Sequence, residues 1–208
     1  MSGRWRAGIA LALFVAATVL VTWRAHRLAQ SLEEREKSKT SALRGQPAPE
    51  FSLPVLTPSG RALGTSPAGQ SVPAAAELAL ADYRGQIVLI SFWASWCRPC
   101  DYELPLLNQF YLARREQGVQ VIAISTDSDR AAAQKYADDR KFALPMVWDE
   151  GGRVADLYQA DVLPTLIVID PAGRVREVAH GARMDLDSWL DRQVRLLTAR
   201  KPAEKKAS

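Results

Sequence analysis

The sequence predicts an α/β protein in which a central mixed β-sheet is flanked by helices, preceded by one N-terminal transmembrane helix. Three observations carry that expectation. Gln86–Trp93 and Val119–Ser125 are nearly continuous apolar runs of strand length, each followed by a helix-period segment, as for strands buried on both faces. A hairpin signal and an amphipathic helix follow them. Ala7 to Trp23 carries no charge and no proline.

That first run, AGIALALFVAATVLVTW, is bounded by Trp5 and Trp23, with Arg4, Arg6, Arg24 and Arg27 beyond. Seventeen helical residues span about 26 Å, slightly under a hydrocarbon core of roughly 30 Å. Tryptophans at both ends suit the membrane interfaces. A cleaved signal peptide is the rival reading. It lacks a small-x-small cleavage site, and the bulky Trp23-Arg24 step stands there instead, so an uncleaved anchor is favoured. Charge alone leaves the orientation open, because Arg35, Lys37 and Lys39 add to the far flank. The chain's cysteine pair, Cys97 and Cys100, lies behind that anchor and suits an oxidising compartment. The expected location is the bacterial inner membrane, single-pass, with the domain facing the periplasm.

The expected organisation is residues 1–6 as a cytoplasmic N-terminus, 7–23 as the anchor, 24–46 as a solvated linker, 47–199 as the folded domain and 200–208 as a charged tail. Phe51–Leu56 reads as a short extended stretch, and Thr57–Ala76, rich in Gly, Pro, Ser and Ala, as a mobile loop. The 64–76 part of it has no assignable role. After the strand Gln86–Trp93 comes a helix with Leu104, Leu107 and Tyr111 at spacings of three and four. Val119–Ser125 is the second buried strand, then an Ala-rich helix from about Asp129 to Lys141, a short strand Leu144–Trp148 and a brief helix from Gly151 to Gln159. Thr165–Asp170 turns through Pro171-Ala-Gly173 into Arg174–Ala179. A last helix, Asp185 to Arg200, gathers Leu186, Trp189, Leu190, Val194 and Leu197 on one face. Trp148, Trp189 and Tyr158 are expected in the core, and His180 in a structural role.

The 208 residues carry 27 Lys and Arg against 23 Asp and Glu, a net charge of +4 concentrated at the two ends. No basic stripe interleaved with aromatics appears, so nucleic-acid binding has no support.

The two cysteines, Cys97 and Cys100, are the only ones in the chain. No other thiol exists to form a structural bridge. A zinc half-site would need two further ligands, and the histidines available are His26 and His180. A permanent staple between the pair closes so small a loop that its effect on unfolded-chain entropy is modest. A reaction centre is therefore preferred to either. Cys97 lies between a buried strand and a helix start, where backbone N–H groups favour the thiolate, and Arg98 adds a positive charge. Cys97 is expected as the exposed nucleophile and Cys100, one turn on, as the buried resolving thiol. Pro99 is tolerated in a first helical turn.

The run Ser91 to Cys100 (SFWASWCRPC) resembles the active-site segment of thioredoxin-like proteins, and more narrowly the TlpA/ResA/CcmG group of membrane-anchored extracytoplasmic thiol–disulfide oxidoreductases. The resemblance covers roughly Pro47 to Leu197 and includes the opening segment Pro47–Leu53, the turn Ala81–Gly85 and the step Leu163-Pro164-Thr165. It implies a thioredoxin-like three-layer fold over 47–199. It implies that Pro164 is a cis-proline which, with Leu163, Trp96, Arg98 and Pro99, meets a bound partner chain. Pro105 matches the proline that kinks the active-site helix. Glu103, three residues after Cys100, matches a buried acid/base, so Cys97, Cys100 and Glu103 form the expected catalytic set. Ser91 stands where ordinary thioredoxins carry a buried aspartate, which shifts proton handling toward Glu103.

The resemblance also implies protein disulfide substrates, such as apocytochrome c or copper-site proteins of oxidase assembly, and electrons from a membrane thiol donor of the DsbD/CcdA kind. No soluble cofactor is implied, because the cysteines carry the electrons. The leading expectation is a reductant. An oxidase or isomerase uses the same residues, and a binding or metal-chaperone module the same fold without turnover. The peroxidatic Pro-x-x-x-Thr-x-x-Cys pattern is absent, since Ala94 stands three residues before Cys97.

Overall fold

The structure, a computed structural model, describes residues 13–14, 16–31, 42–56, 63–65, 71–72 and 77–199. The chain divides into two compact units, Met1–Ala42 and Leu43–Ser208. In the first, residues 16–31 form helix α1, whose apolar side chains Val19, Leu20, Val21 and Trp23 are exposed. Among the described residues no helix is long and apolar enough to cross a membrane. Residues 7–12 and 15 of the expected anchor lie outside the described residues, as do 32–41 of the expected linker and the tail from 200 onward.

The second unit is built on a five-stranded sheet in the order β7-β6-β5-β8-β9. Its strands are β5 (Ile87–Trp93), β6 (Val119–Ser125), β7 (Met146–Trp148), β8 (Thr165–Ile169) and β9 (Val175–His180). The first three run parallel, with Ile87 opposite Val119 and Ala123 opposite Met146. β8 joins β5 antiparallel, Ser91 facing Leu166, and β9 returns antiparallel on β8. The sheet is therefore mixed. β5 and β6 sit inside it, and every one of their residues is buried.

Because strand side chains alternate, β5 feeds two cores. Ile87, Leu89 and Trp93 face the core completed by α2 (Arg98–Arg114), α3 (Arg130–Arg140) and α5 (Leu186–Ala199). Val88, Ile90 and Phe92 face the other, with Val154 and Ala155 of α4 (Arg153–Leu157), Tyr158 and the segment around Phe51. Local chemistry sets the helix limits. Asp129 caps α3 by accepting from the Ala131 N–H at 2.9 Å, and Lys141 ends it in the left-handed conformation. Leu186, Leu190, Val194 and Leu197 make the buried stripe of α5. Between β8 and β9, Gly173 takes φ +76°, and the Arg84 guanidinium lies where its Cβ would project, paired with Glu50. Trp148, Tyr158 and Trp189 are all buried, as expected.

The sequence reading departs from the structure at Thr57–Ala76. Within that expected loop, β2 (Leu63–Thr65) pairs antiparallel with β3 (Ser71–Val72) across a register shift, and the remaining residues lie outside those described. β4 (Glu77–Ala79), also unexpected, pairs antiparallel with β1 (Ser52–Pro54), placing Leu53 opposite Leu78. Runs of two or three residues are too short to show a period of two, so composition hid them.

Leu107 is fully buried where α2 meets the sheet. Leu107→Ala is expected to destabilise the domain by about 2–5 kcal/mol, read as a lowered urea midpoint at unchanged slope.

Candidate active site

The parallel strand β5 ends at Trp93, and the turn Ala94–Cys97 carries the chain into α2, closed by the Cys97 N–H donating to the Ala94 carbonyl at 3.0 Å. Cys97 is the N-cap of α2, with extended backbone. Its sulfur lies 3.3 Å from the Cys100 N–H, so a helix-terminal donor points at it. Pro99 occupies the first turn, where a missing N–H costs nothing, and Asp101 places a carboxylate near the positive helix end. Pro105 sits inside α2, which continues through it to Arg114.

Cys97 and Cys100 are joined in a disulfide with Cα atoms 5.3 Å apart. The expectation of an exposed nucleophile needs correcting. Cys97 is only 5% exposed and Cys100 1% exposed. As N-cap, Cys97 folds its sulfur back over the helix end into the α2-side core, leaving Trp96, Arg98 and Pro99 exposed around it. The asymmetry expected between the two sulfurs is thus present but small. Cys97 is still the more accessible.

The Leu163–Pro164 peptide bond is cis. The Pro164 carbonyl accepts from the Gly181 N–H at 2.7 Å, tying this loop to the end of β9. Leu163 is half-buried and packs against both cores, while Val162 and Met184 are exposed. His180 bonds to the Thr165 hydroxyl at 2.9 Å, a structural use.

Glu103 lies one turn beyond Cys100 on α2 and is 4% exposed. Ser91 Oγ donates to Glu103 Oε1 at 3.0 Å. Burial disfavours the charged carboxylate and pushes its pKa up to about 7, and the Ser91 bond offsets that only in part. Ser91 reaches it because odd-numbered residues of β5 face α2, the same parity that brings Trp93 there. A buried carboxyl that gains and loses a proton near neutrality therefore lies beside the disulfide-bearing turn of α2.

Two further groups of residues near this turn carry little signal in the sequence. Asp127, 3% exposed, accepts from the Ser95 N–H at 2.9 and 3.1 Å, from the Ser95 hydroxyl at 2.8 Å and from the Ser125 hydroxyl at 2.8 Å. Asp101 accepts from Tyr136 Oη at 2.8 Å and from Arg140 at 2.6 Å, and the Tyr136 ring packs on Trp93 with centroids 4.6 Å apart. The one available signal was polarity: Asp127 follows closely on a buried strand, where a carboxylate needs partners. Among the described residues, no group of three or more His, Cys, Asp or Glu is placed to hold a metal ion.

The AhpC/TSA family model matches residues 44–178. The chain is 35% identical over 103 residues to "Thiol-disulfide oxidoreductase ResA" of Oceanobacillus iheyensis, covering 50% of this chain and 54% of that protein. It is 32% identical over 143 residues to the protein of the same name from Geobacillus thermodenitrificans, covering 69% of this chain and 72% of that one. The chain thus spans about half the length of the first relative and nearly three quarters of the second. Among solved structures, the provisionally named thiol:disulfide interchange protein DsbE of Chlorobium tepidum is 27% identical. It aligns with a TM-score of 0.61 over 74% of this chain and 96% of its own. StoA from Bacillus subtilis, 20% identical with a TM-score of 0.51 over 69% of this chain and 97% of its own, supports the fold alone.

Proposed function

The chain belongs to the AhpC/TSA family, with a thioredoxin-like fold, and on that premise we propose that it is a thiol–disulfide oxidoreductase acting as a reductant of protein disulfides. The observation that carries the reading is the Cys97–Cys100 disulfide closed across a helix N-cap. A cis-proline in the chain and a buried carboxyl one turn beyond Cys100 support it.

In the reducing direction the Cys97 thiolate attacks one sulfur of a partner's disulfide. A Cys97–partner disulfide forms, and the other partner sulfur leaves as a thiolate and takes a proton. Cys100 then gives up its proton, with Glu103 as the acceptor, and attacks the Cys97 sulfur. The Cys97–Cys100 bond forms, the mixed disulfide breaks, and the second partner sulfur leaves and is protonated. Two electrons have passed to the partner, and no further cofactor is required.

Membrane attachment and a periplasmic domain belong to the same proposal, supported by the uncharged run Ala7–Trp23 and its flanking arginines. The names of the relatives support disulfide exchange as the chemistry. Apocytochrome c or copper-site precursors are the partners proposed, with a membrane thiol donor of the DsbD/CcdA kind restoring the dithiol.

Equilibration of the full chain with glutathione or dithiothreitol buffers tests the direction. A reductant is expected to show a potential near or below about −270 mV, thioredoxin's value, whereas a value near about −120 mV would make the protein an oxidase.

A further inference from the structure

The turn that delivers Cys97 is held from outside itself. In Ala94–Cys97 the second residue is Ser95 and the third is Trp96, which is 72% exposed. The N–H of a second turn residue has no partner within the turn. Here both Asp127 carboxylate oxygens take it, at 2.9 and 3.1 Å, and the Ser95 hydroxyl donates to the same group at 2.8 Å. Asp127 is fastened in turn: its own N–H donates to Ser125 Oγ at 3.1 Å, Ser125 Oγ donates back to its carboxylate, and its carbonyl accepts from Trp148 Nε1 at 2.7 Å. A parallel tie joins the adjacent residues, the Thr126 N–H donating to the Trp93 carbonyl at 2.8 Å. The segment leaving β6 therefore grips the segment leaving β5 just before the reactive sulfur.

A buried carboxylate is costly unless its oxygens are filled, and this one is filled by Ser95, in the turn that ends at Cys97, and by Ser125. The turn is also closed by its own backbone bond and continued by α2. The clamp adds orientation, fixing how Ser95 and hence Trp96 and Cys97 are presented.

We propose that Asp127 is a positioning residue for disulfide exchange with protein partners: by holding Ser95 it sets the pose of Trp96 and Cys97 against an incoming chain. The role rests on the thiol–disulfide reading above. A partner chain must align with the turn before its sulfur reaches Cys97, and a misplacement of about 1 Å can cost 10²-fold in rate. A small aromatic disulfide needs only the thiolate and is far less sensitive to that alignment.

The test compares two substrates on the full chain, insulin and 5,5′-dithiobis(2-nitrobenzoate), with rates taken per folded molecule. Asp127→Ala is expected to slow insulin reduction at least about tenfold and the small disulfide less than about threefold. Asp127→Asn keeps one oxygen for the Ser95 hydroxyl and N–H, but its amide replaces the oxygen that now takes the Ser95 N–H at 2.9 Å, so it is expected to restore insulin reduction in part, to a rate clearly between those of the Ala variant and wild type. If Asp127→Ala does not fold, Ser95→Ala, which deletes one bond of the clamp, is expected to slow insulin about threefold and leave the small disulfide unchanged. Equal slowing of both substrates, no slowing of either, or an Asn variant as impaired as the Ala variant overturns the positioning role. A wild-type chain that exchanges with neither substrate overturns the oxidoreductase reading and this role with it. A wild type active on both, with Asp127→Ala indistinguishable from it, overturns the role alone.

Discussion

Cys97→Ser is expected to reduce disulfide exchange by more than about 10³-fold, while Cys100→Ala forms the first bond with a partner and then stalls. The asymmetry follows from position. Cys97 is the helix N-cap, with a backbone N–H aimed at its sulfur, and it borders the exposed Trp96, Arg98 and Pro99. Cys100 lies inside the first turn and is 1% exposed against 5% for Cys97, so a partner's disulfide meets Cys97 first. Serine in place of Cys97 keeps the N-cap, because its oxygen accepts the same donor, but it removes the nucleophile. Folding should therefore survive when exchange does not. In Cys100→Ala the resolving sulfur is missing and the mixed disulfide persists. The check is a non-reducing gel of the full chain incubated with oxidised partner proteins. Adducts are expected with Cys100→Ala, none with Cys97→Ser, and only transient ones with wild type. Stable adducts through Cys100 in Cys97→Ser would reverse the assignment of the two sulfurs. The identity of adducts trapped in cells bears on the partner class proposed above.

What the sequence made legible, and what it did not, divides along the range of the interactions. β5, β6 and α5 can be read within a residue or two because each signal is local: an unbroken apolar run for the two strands, buried at every residue, and a helix-spaced apolar stripe for α5. The cysteine pair is legible from counting, and the cis bond at Pro164 from the resemblance. The grip of Asp127 on Ser95 is not, since it joins residues 32 apart and depends on two strand ends lying side by side. Glu103 is legible as a candidate, but its bond to Ser91 requires knowing which face of β5 meets α2. The burial of Cys97 escapes the sequence for a related reason. A cap residue ordinarily faces water, yet this sulfur turns over the helix end and is covered by the same core that fixes α2. The short pairings β1–β4 and β2–β3 gain their definition from partners rather than from their own composition.

Glu103→Gln is expected to act on two measurements that otherwise have little reason to move together. The first is stability. Folded, the oxidised protein holds this carboxyl at about 7, chiefly through burial, against an ordinary 4.5. Between those values the folded state binds more protons than the unfolded chain, so stability falls as pH rises from about 4.5 through about 7 and then levels. The full loss is about 3 kcal/mol. Glutamine keeps the shape and can still accept the Ser91 hydroxyl, yet has no proton to lose. The variant should therefore lack this slope and exceed wild type at pH 8 by about that amount. Urea unfolding of both oxidised proteins at pH 5 and 8 checks this, and identical slopes would show that Glu103 titrates normally.

The second measurement is turnover. If Glu103 receives the Cys100 proton before Cys100 attacks the mixed disulfide, glutamine should slow that step about 10²-fold and remove an inflection near pH 7 from the rate profile. The first step, attack by Cys97, should be unaffected, so mixed disulfides accumulate in Glu103→Gln as they do in Cys100→Ala, though they finally resolve. A variant that loses the stability slope but turns over normally would leave Glu103 as a buried carboxyl with no part in proton transfer. A variant that shows both effects ties the burial of one side chain on α2 to the order of events at the two sulfurs.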